Sequence, residues 1–232
     1  EFMEQSNKEI TTTQKNKTAL IIKVVLAVLL LASSAYLLKS DVWTFWTWWL
    51  LAGVMGFAAM PVTGRLFGRF EDKGWIFSKV LAIAVTGYIT WFLVSIKLLP
   101  FGTITCVGVT IACALICFFL LRKQSGKKIE CFPVESISLI YWEELLFFVA
   151  FLIWTYVAGF RPAAYGTEKF MDYGFMEAMM RSTSLPATDI WYSQGHINYY
   201  YGGQYFAVFL TKLSHTKVEL TYNLMRTFVA GL

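Results

Sequence analysis

The sequence predicts an all-α integral membrane protein of six to seven transmembrane helices, with an external loop that carries an amphipathic surface helix. Three observations predict it. Of the 232 residues, 57% are hydrophobic and only 15% charged, against roughly a quarter charged in a soluble domain. The apolar residues are gathered into blocks close to the roughly 20 residues a helix needs to cross a bilayer. The basic residues sit in short segments between those blocks, where they act as topology signals.

The net charge of +5 does not point to nucleic acid. The cations form no single stripe, and the chain has no aromatic–basic ribonucleoprotein motif, zinc-ligand spacing or basic helix. Of the four cysteines, Cys106, Cys113 and Cys117 lie inside an apolar block and read as small packing residues. Cys131 falls in a segment expected in the cytoplasm, so no disulfide framework is implied.

Taken in order, Glu1-Phe2 ahead of Met3 reads as a cloning scar. Residues 1–18 form a polar cytoplasmic tail, expected to be disordered. Residues 19–136 make a four-helix transmembrane region. Its first block, Leu20 to Leu38, follows Lys15 and Lys17. It is long for a cleaved signal peptide, although Ser33 and Ala35 would suit cleavage, so a retained helix is expected. The second runs from Val42 to Met60, with Trp43, Trp46, Trp48 and Trp49 as a headgroup belt and Pro61 as its exit. The third, Trp75 to Leu99, ends at the turn Pro100-Phe101-Gly102, and the fourth runs from Thr103 to Leu121.

A second region, 137–232, opens with a fifth helix from Ile137 to Gly159. After loop 160–198, a sixth helix is expected from Tyr199 to Leu213. The last block, Leu220 to Leu232, is too short to span at about 1.5 Å per residue, as though the chain belonged to a larger protein. With the N-terminus inside, 15 of the 20 basic residues lie inside, Lys212, Lys217 and Arg226 among them, and loop 160–198 is external.

That loop holds the candidate chemistry. Phe170, Phe175, Met176, Met179 and Met180 give the stretch from Lys169 to Ser182 an apolar face, ended by Pro186. Glu168 and Asp172 stand at i and i+4, hence on one helix face. Such a pair can serve as a general base or offer ligands to a divalent cation, although two carboxylates are too few to choose a metal; the bland alternative is a solvated acidic helix start. Arg161 and Lys169 can clamp a phosphate or face anionic lipid. In Gly195-His196-Ile197-Asn198-Tyr199-Tyr200-Tyr201-Gly202-Gly203 the three tyrosines cannot all face one site if helical. They form either an aromatic belt or, with Asn198, hydrogen-bonding groups for a sugar or phosphate. His196 by itself reads as structural. Glu143 and Glu144 enter the fifth apolar block, where costly intramembrane carboxylates are functional candidates by default; the other readings are snorkelling to the nearby cytoplasmic end, which is favoured, and contact with a partner helix.

These residues carry a resemblance. Arg161-Pro162, the run Glu168-Lys169-Phe170-Met171-Asp172-Tyr173-Gly174-Phe175, then Asp189-Ile190-Trp191-Tyr192 and Ile197-Asn198-Tyr199-Tyr200-Tyr201-Gly202 resemble the YYY membrane-protein family of bacteria and archaea. Asp72-Lys73-Gly74, Gly87-Tyr88-Ile89-Thr90-Trp91, and Glu144 ahead of Phe147 fit the same pattern, over roughly residues 43–232. The layout is similar to the N-terminal part of GT-C glycosyltransferases, which use lipid-phosphate sugar donors: a helix, an acidic residue in the first external loop, a surface helix, then aromatic residues opening the next helix. Some GT-C members pair two acidic residues directly, whereas Asp172 is followed by Tyr173.

The resemblance implies a glycosyltransferase of the plasma membrane that uses a polyprenyl-phosphate sugar donor on the external face. Asp172 would be the catalytic acid or base, with Glu168 second. Arg161, Lys169, Asp189, Tyr192, His196, Asn198, Tyr199, Tyr200 and Tyr201 would line the substrate site. Its partners would be membrane lipids, the donor, and the remainder of a longer chain or other membrane subunits. The alternatives are a non-catalytic component that binds or transports lipid-linked glycans, and a structural module for membrane assembly.

Overall fold

The computed structural model describes residues 2–123, 136–166 and 168–232. Cys131, with Lys127 and Lys128, lies outside the described residues. Among the described residues the chain is helical, apart from turns and one isolated antiparallel bridge between Thr188 and His196. It forms two compact units, Glu1–Val42 and Trp43–Leu232.

The first unit is one long helix, α1 (Phe2–Leu38), and a short 3₁₀ turn. The stretch to Thr18, expected as a disordered tail, is continuous with this helix. Its Glu, Gln and Lys residues are fair helix formers, and a helix already nucleated in the apolar part extends at low cost. Leu20, Ile21, Ile22, Val24, Val25, Val28 and Leu29 are all exposed, as befits a helix meant for lipid.

In the second unit, α2 (Val42–Leu66) continues through Pro61 instead of ending there. Proline removes one backbone donor, which apolar surroundings packed with other helices tolerate, and, two residues on, the Thr63 hydroxyl turns back onto Met60 O at 3.4 Å. The tryptophan belt is also only partly a belt. Trp43 is exposed, but Trp48 is buried and donates to Thr216 Oγ1 at 3.2 Å. Trp49 donates inward to Glu144 Oε1 at 2.7 Å.

Asp72 fixes the start of α3 (Trp75–Ser95) by accepting the Trp75 N–H at 2.6 Å, which satisfies one of the helix's free donors. Gly74 precedes it at φ +76°, where a Cβ would lie 2.7 Å from the Phe67 side chain. Then come α4 (Thr103–Lys123) and α5 (Ile137–Gly159). By length and composition, Lys17–Leu66, Trp75–Ser95 and Ile137–Gly159 can cross a bilayer, and Thr103–Phe119 is a shorter apolar helix.

Polar pairing holds α2, α3 and α5 together. Glu144 of α5 forms an ion pair with Lys79 of α3 and accepts the indole N–H groups of Trp49 (2.7 Å) and Trp75 (2.9 Å). It is therefore a helix–helix clasp, and the snorkelling expectation for Glu144 is corrected. An intramembrane carboxylate is costly, and three donors from two other helices offset that cost better than a reach to solvent. Above the clasp Phe45 stacks on Phe151 with centroids 4.3 Å apart, and Phe228 meets Phe151 edge-on at 5.4 Å.

The remaining helices are α6 (Lys169–Arg181), α7 (Gly202–Ser214) and α8 (Val218–Gly231). The expected sixth spanning helix is not one. At 13 residues, α7 is about 20 Å long, and both its ends lie at the end of the bundle where α5 opens into the loop. Tyr201, at its start, accepts a hydrogen bond from Trp91 in the last turns of α3 (3.0 Å). Lys212, near its finish, donates to Met180 O at the close of α6 (2.9 Å) and to Phe101 O in the α3–α4 turn (3.4 Å). Tyr205 anchors the middle by donating to Gly87 O at 2.7 Å.

From there α8 runs antiparallel to α5. Asn223 Nδ2 reaches Pro162 O at 2.8 Å, and the hydroxyls of Thr155 and Thr227 meet at 3.0 Å. Lys212 and Arg226, with Lys217 between them, thus belong to the loop end and not to the opposite end where the charge pattern had placed them.

Candidate functional site

The loop end is built by α6 lying against the start of α7. Asp172 stands in the first turn of α6, where a carboxylate suits the positive end of the helix dipole. Asp172 N bonds to Glu168 O at 3.0 Å, so the two carboxylates are stacked one turn apart. Two side chains, also four residues apart, meet them from across the loop. Tyr200 donates its hydroxyl to Glu168 Oε2 at 2.9 Å, and Gln204 donates its amide to Asp172 Oδ1 at 2.7 Å. The result is a two-rung ladder between segments 32 residues apart in sequence. Among the described residues the second Asp172 oxygen, Oδ2, takes no hydrogen bond.

The tyrosine triplet divides its labour. Tyr200 stacks on Tyr199 with centroids 3.9 Å apart, and Tyr199 leans on Phe175 of α6 at 6.5 Å. Both rings are exposed. Hydrogen bonding with Tyr199, then with Glu168, holds the Tyr200 phenol above its ordinary pKa, because both partners favour its protonated form. Tyr201 instead turns inward to Trp91 and docks α7. The three rings do point to different partners, yet they are not in a helix, since α7 begins only at Gly202.

A second polar cluster adjoins the first. The Tyr173 hydroxyl donates to Glu177 Oε1 at 2.8 Å, and Arg181 bonds the other oxygen of Glu177 at 2.9 Å. Partial burial and then the Glu177 hydrogen bond push the Tyr173 phenol up to about 12. Its ring meets Tyr222 of α8 edge-on at 5.8 Å, and Arg226 lies over the Tyr222 ring at 5.3 Å. Lys212 is buried behind α6 and held below its ordinary pKa by desolvation.

Other candidates sit elsewhere. Asp189 spends its carboxylate on its own turn, accepting the N–H groups of Trp191 (2.7 Å) and Tyr192 (3.0 Å), an Asx-type turn. Its N–H closes onto Gly195 O at 3.1 Å, and the bridge from Thr188 to His196 completes a small hairpin-like loop. Asp189 is thereby a loop-shaping residue, while Tyr192, His196 and Asn198 are exposed on or beside that loop. Arg161 is exposed at the exit of α5 and Lys169 half-buried at the first residue of α6. Neither forms an ion pair among the described residues. No group of three or more His, Cys, Asp or Glu side chains there comes together to ligate a metal.

Gln204 was not singled out from the sequence, Trp91 was read only within the motif Gly87 to Trp91, and Arg226 only as an inner topology charge. The i, i+4 spacing of Tyr200 and Gln204 matches that of Glu168 and Asp172, and this was the one available signal for Gln204. Nothing local marks the docking role of Trp91 or the loop-end position of Arg226.

No curated protein and no solved structure matches the chain significantly. A family model described as an uncharacterized membrane protein (DUF2298) matches residues 85–232, a stretch that holds α5 to α8, the carboxylate ladder and the tyrosine triplet. The chain therefore belongs to the DUF2298 family of membrane proteins, the YYY family that its motifs resemble.

Proposed function

We propose that the chain forms part of a membrane glycosyltransferase, of GT-C-like layout, that moves a sugar from a polyprenyl-phosphate donor at the external face. The observation that carries this reading is the ladder Glu168–Tyr200 and Asp172–Gln204, which orients Asp172 and leaves its Oδ2 open. A general base needs an oriented carboxylate with a free lone pair within reach of the proton it takes.

In the reaction, Asp172 Oδ2 accepts the proton of the acceptor hydroxyl as that oxygen bonds to the anomeric carbon. The bond from that carbon to the phosphate oxygen breaks, and its electron pair leaves with the polyprenyl phosphate. Lys169 and Arg161, both at the loop end, favour the departing negative charge. Tyr199 and Tyr200 offer exposed ring faces and hydroxyls to a sugar, while Tyr201 keeps α7 in place through Trp91.

The test is transfer of radiolabelled sugar from a panel of polyprenyl-phosphate donors, in membranes with and without the protein. Product that depends on the protein supports the transferase. Donor binding without product for every donor favours the binding or transport reading.

A further inference from the structure

Arg226 was expected at the opposite end of the molecule, and its position in the structure gives it a different role. One of its nitrogens donates to Asn223 Oδ1, and the Asn223 amide is itself fixed on Pro162 O at 2.8 Å. Its guanidinium lies over the Tyr222 ring, 5.3 Å from the centroid, and Tyr222 in turn packs on Tyr173 of α6. The side chain is thus set by an amide on one edge and a ring on one face. Its remaining N–H donors are uncommitted, and among the described residues no carboxylate forms an ion pair with it.

Depth supplies the second argument. Asn223 is level with the residue after Arg161, and Thr227 is level with Thr155 of α5. Arg226 therefore lies about one turn, roughly 5 Å, inside the exit of α5. The same two helices expose Val157, Phe160 and Val229, so this is the border between apolar and polar surroundings. A permanently charged guanidinium is expensive at such a border unless it reaches water or meets an anion. The anions found at that depth are lipid phosphates, and arginine's planar fork matches their oxygens two at a time.

We infer that Arg226, pre-set by Asn223 and Tyr222, binds the phosphate of a lipid phosphate ester, and that this ester is the polyprenyl phosphate of the donor. The second clause rests on the transferase reading; the first does not. Through Tyr222 and Tyr173 the arginine is tied to the helix that carries Asp172. The phosphate and the base would then be held by α8 and α6, which touch through that tyrosine pair.

The experiment is binding of a polyprenyl phosphate to the protein in phosphatidylcholine nanodiscs, for wild type, Arg226→Gln and Arg226→Lys. Loss of a charge-assisted bidentate contact should raise Kd by about 10- to 100-fold in Arg226→Gln. Arg226→Lys should fall between the two. Unchanged melting of Arg226→Gln separates lost contact from lost fold, and the graded loss in Arg226→Lys does so independently. Wild-type Kd in Arg226→Gln overturns the phosphate site whatever the transfer assay gives. Equal displacement by phosphatidylglycerol would make the site one for bulk headgroups and overturn the donor assignment. Arg226-dependent binding in a protein that transfers no sugar would sink the transferase and leave the phosphate site standing.

Discussion

Replacing Glu144 by Gln tests how the membrane-embedded part of the fold is held. Lys79 is fully buried, with side-chain exposure of 0% against 20% for Glu144, so the lysine carries the larger desolvation cost. Two aromatic faces, Phe147 at 4.4 Å and Trp75 at 5.2 Å from Nζ, soften that cost without cancelling the charge. Glu144→Gln keeps an oxygen for only one of the indole donors, which bond different carboxylate oxygens, and takes from Lys79 the carboxylate it pairs with directly. Breaking one partner of a buried pair costs about 3–5 kcal/mol. At roughly 2–4 °C per kcal/mol for a chain of this size, Tm should drop by roughly 6–20 °C. Adding Lys79→Met removes the stranded charge, so the double variant should be more stable than Glu144→Gln alone, with a coupling of about 2 kcal/mol or more. Thermal unfolding in detergent, followed by tryptophan fluorescence, reads both quantities. A drop below about 1 kcal/mol, or strictly additive effects in the double variant, would refute the clasp.

Further outcomes follow from the loop end. Gly87→Ala would set a Cβ 2.5 Å from the Phe206 ring, just where Tyr205 bonds the Gly87 carbonyl. The overpacking should cost about 1–3 kcal/mol, visible as a lower Tm and as faster proteolysis of loop 160–201. Tyr173 holds its proton to about 12 in the folded state, against about 10 when unfolded. Between those values only the folded protein keeps the proton, so stability falls as pH rises through the window. Tm of wild type should therefore decline more steeply over that range than Tm of Tyr173→Phe.

Some of this architecture was legible in the sequence, for identifiable reasons. The bounds of α5, Ile137–Gly159, coincide with those expected, because a long apolar run, broken by the Glu143–Glu144 pair, is bounded by polar sequence on both sides. The helix of the loop was equally plain from its apolar face between Lys169 and Ser182, one residue past its observed end at Arg181. Hydropathy failed at α7, whose residues are apolar because protein covers them: Tyr205, Val208, Phe209 and Leu210 are all buried. Apolarity alone does not distinguish a helix sunk in protein from one sunk in lipid. The same confusion placed Lys212 at the inner end of a spanning helix when it is a buried tie between α6 and the α3–α4 turn. Pro61 was read as a stop because local propensity ends a helix there, whereas the surroundings carry it to Leu66. At the site, the carboxylate spacing was visible within four residues. Its partners were not, since Tyr200 and Gln204 arrive from 32 residues away and Lys79 reaches Glu144 across 65.

The most direct measurement is the ratio of sugar-transfer rates for Asp172→Asn and wild type at saturating donor. Asparagine keeps an oxygen for the Gln204 amide but cannot take a proton. The account predicts a fall of about 10²- to 10⁴-fold, the range for losing a general base, with donor binding unchanged. An Asp172→Asn protein that transfers sugar at the wild-type rate would contradict it.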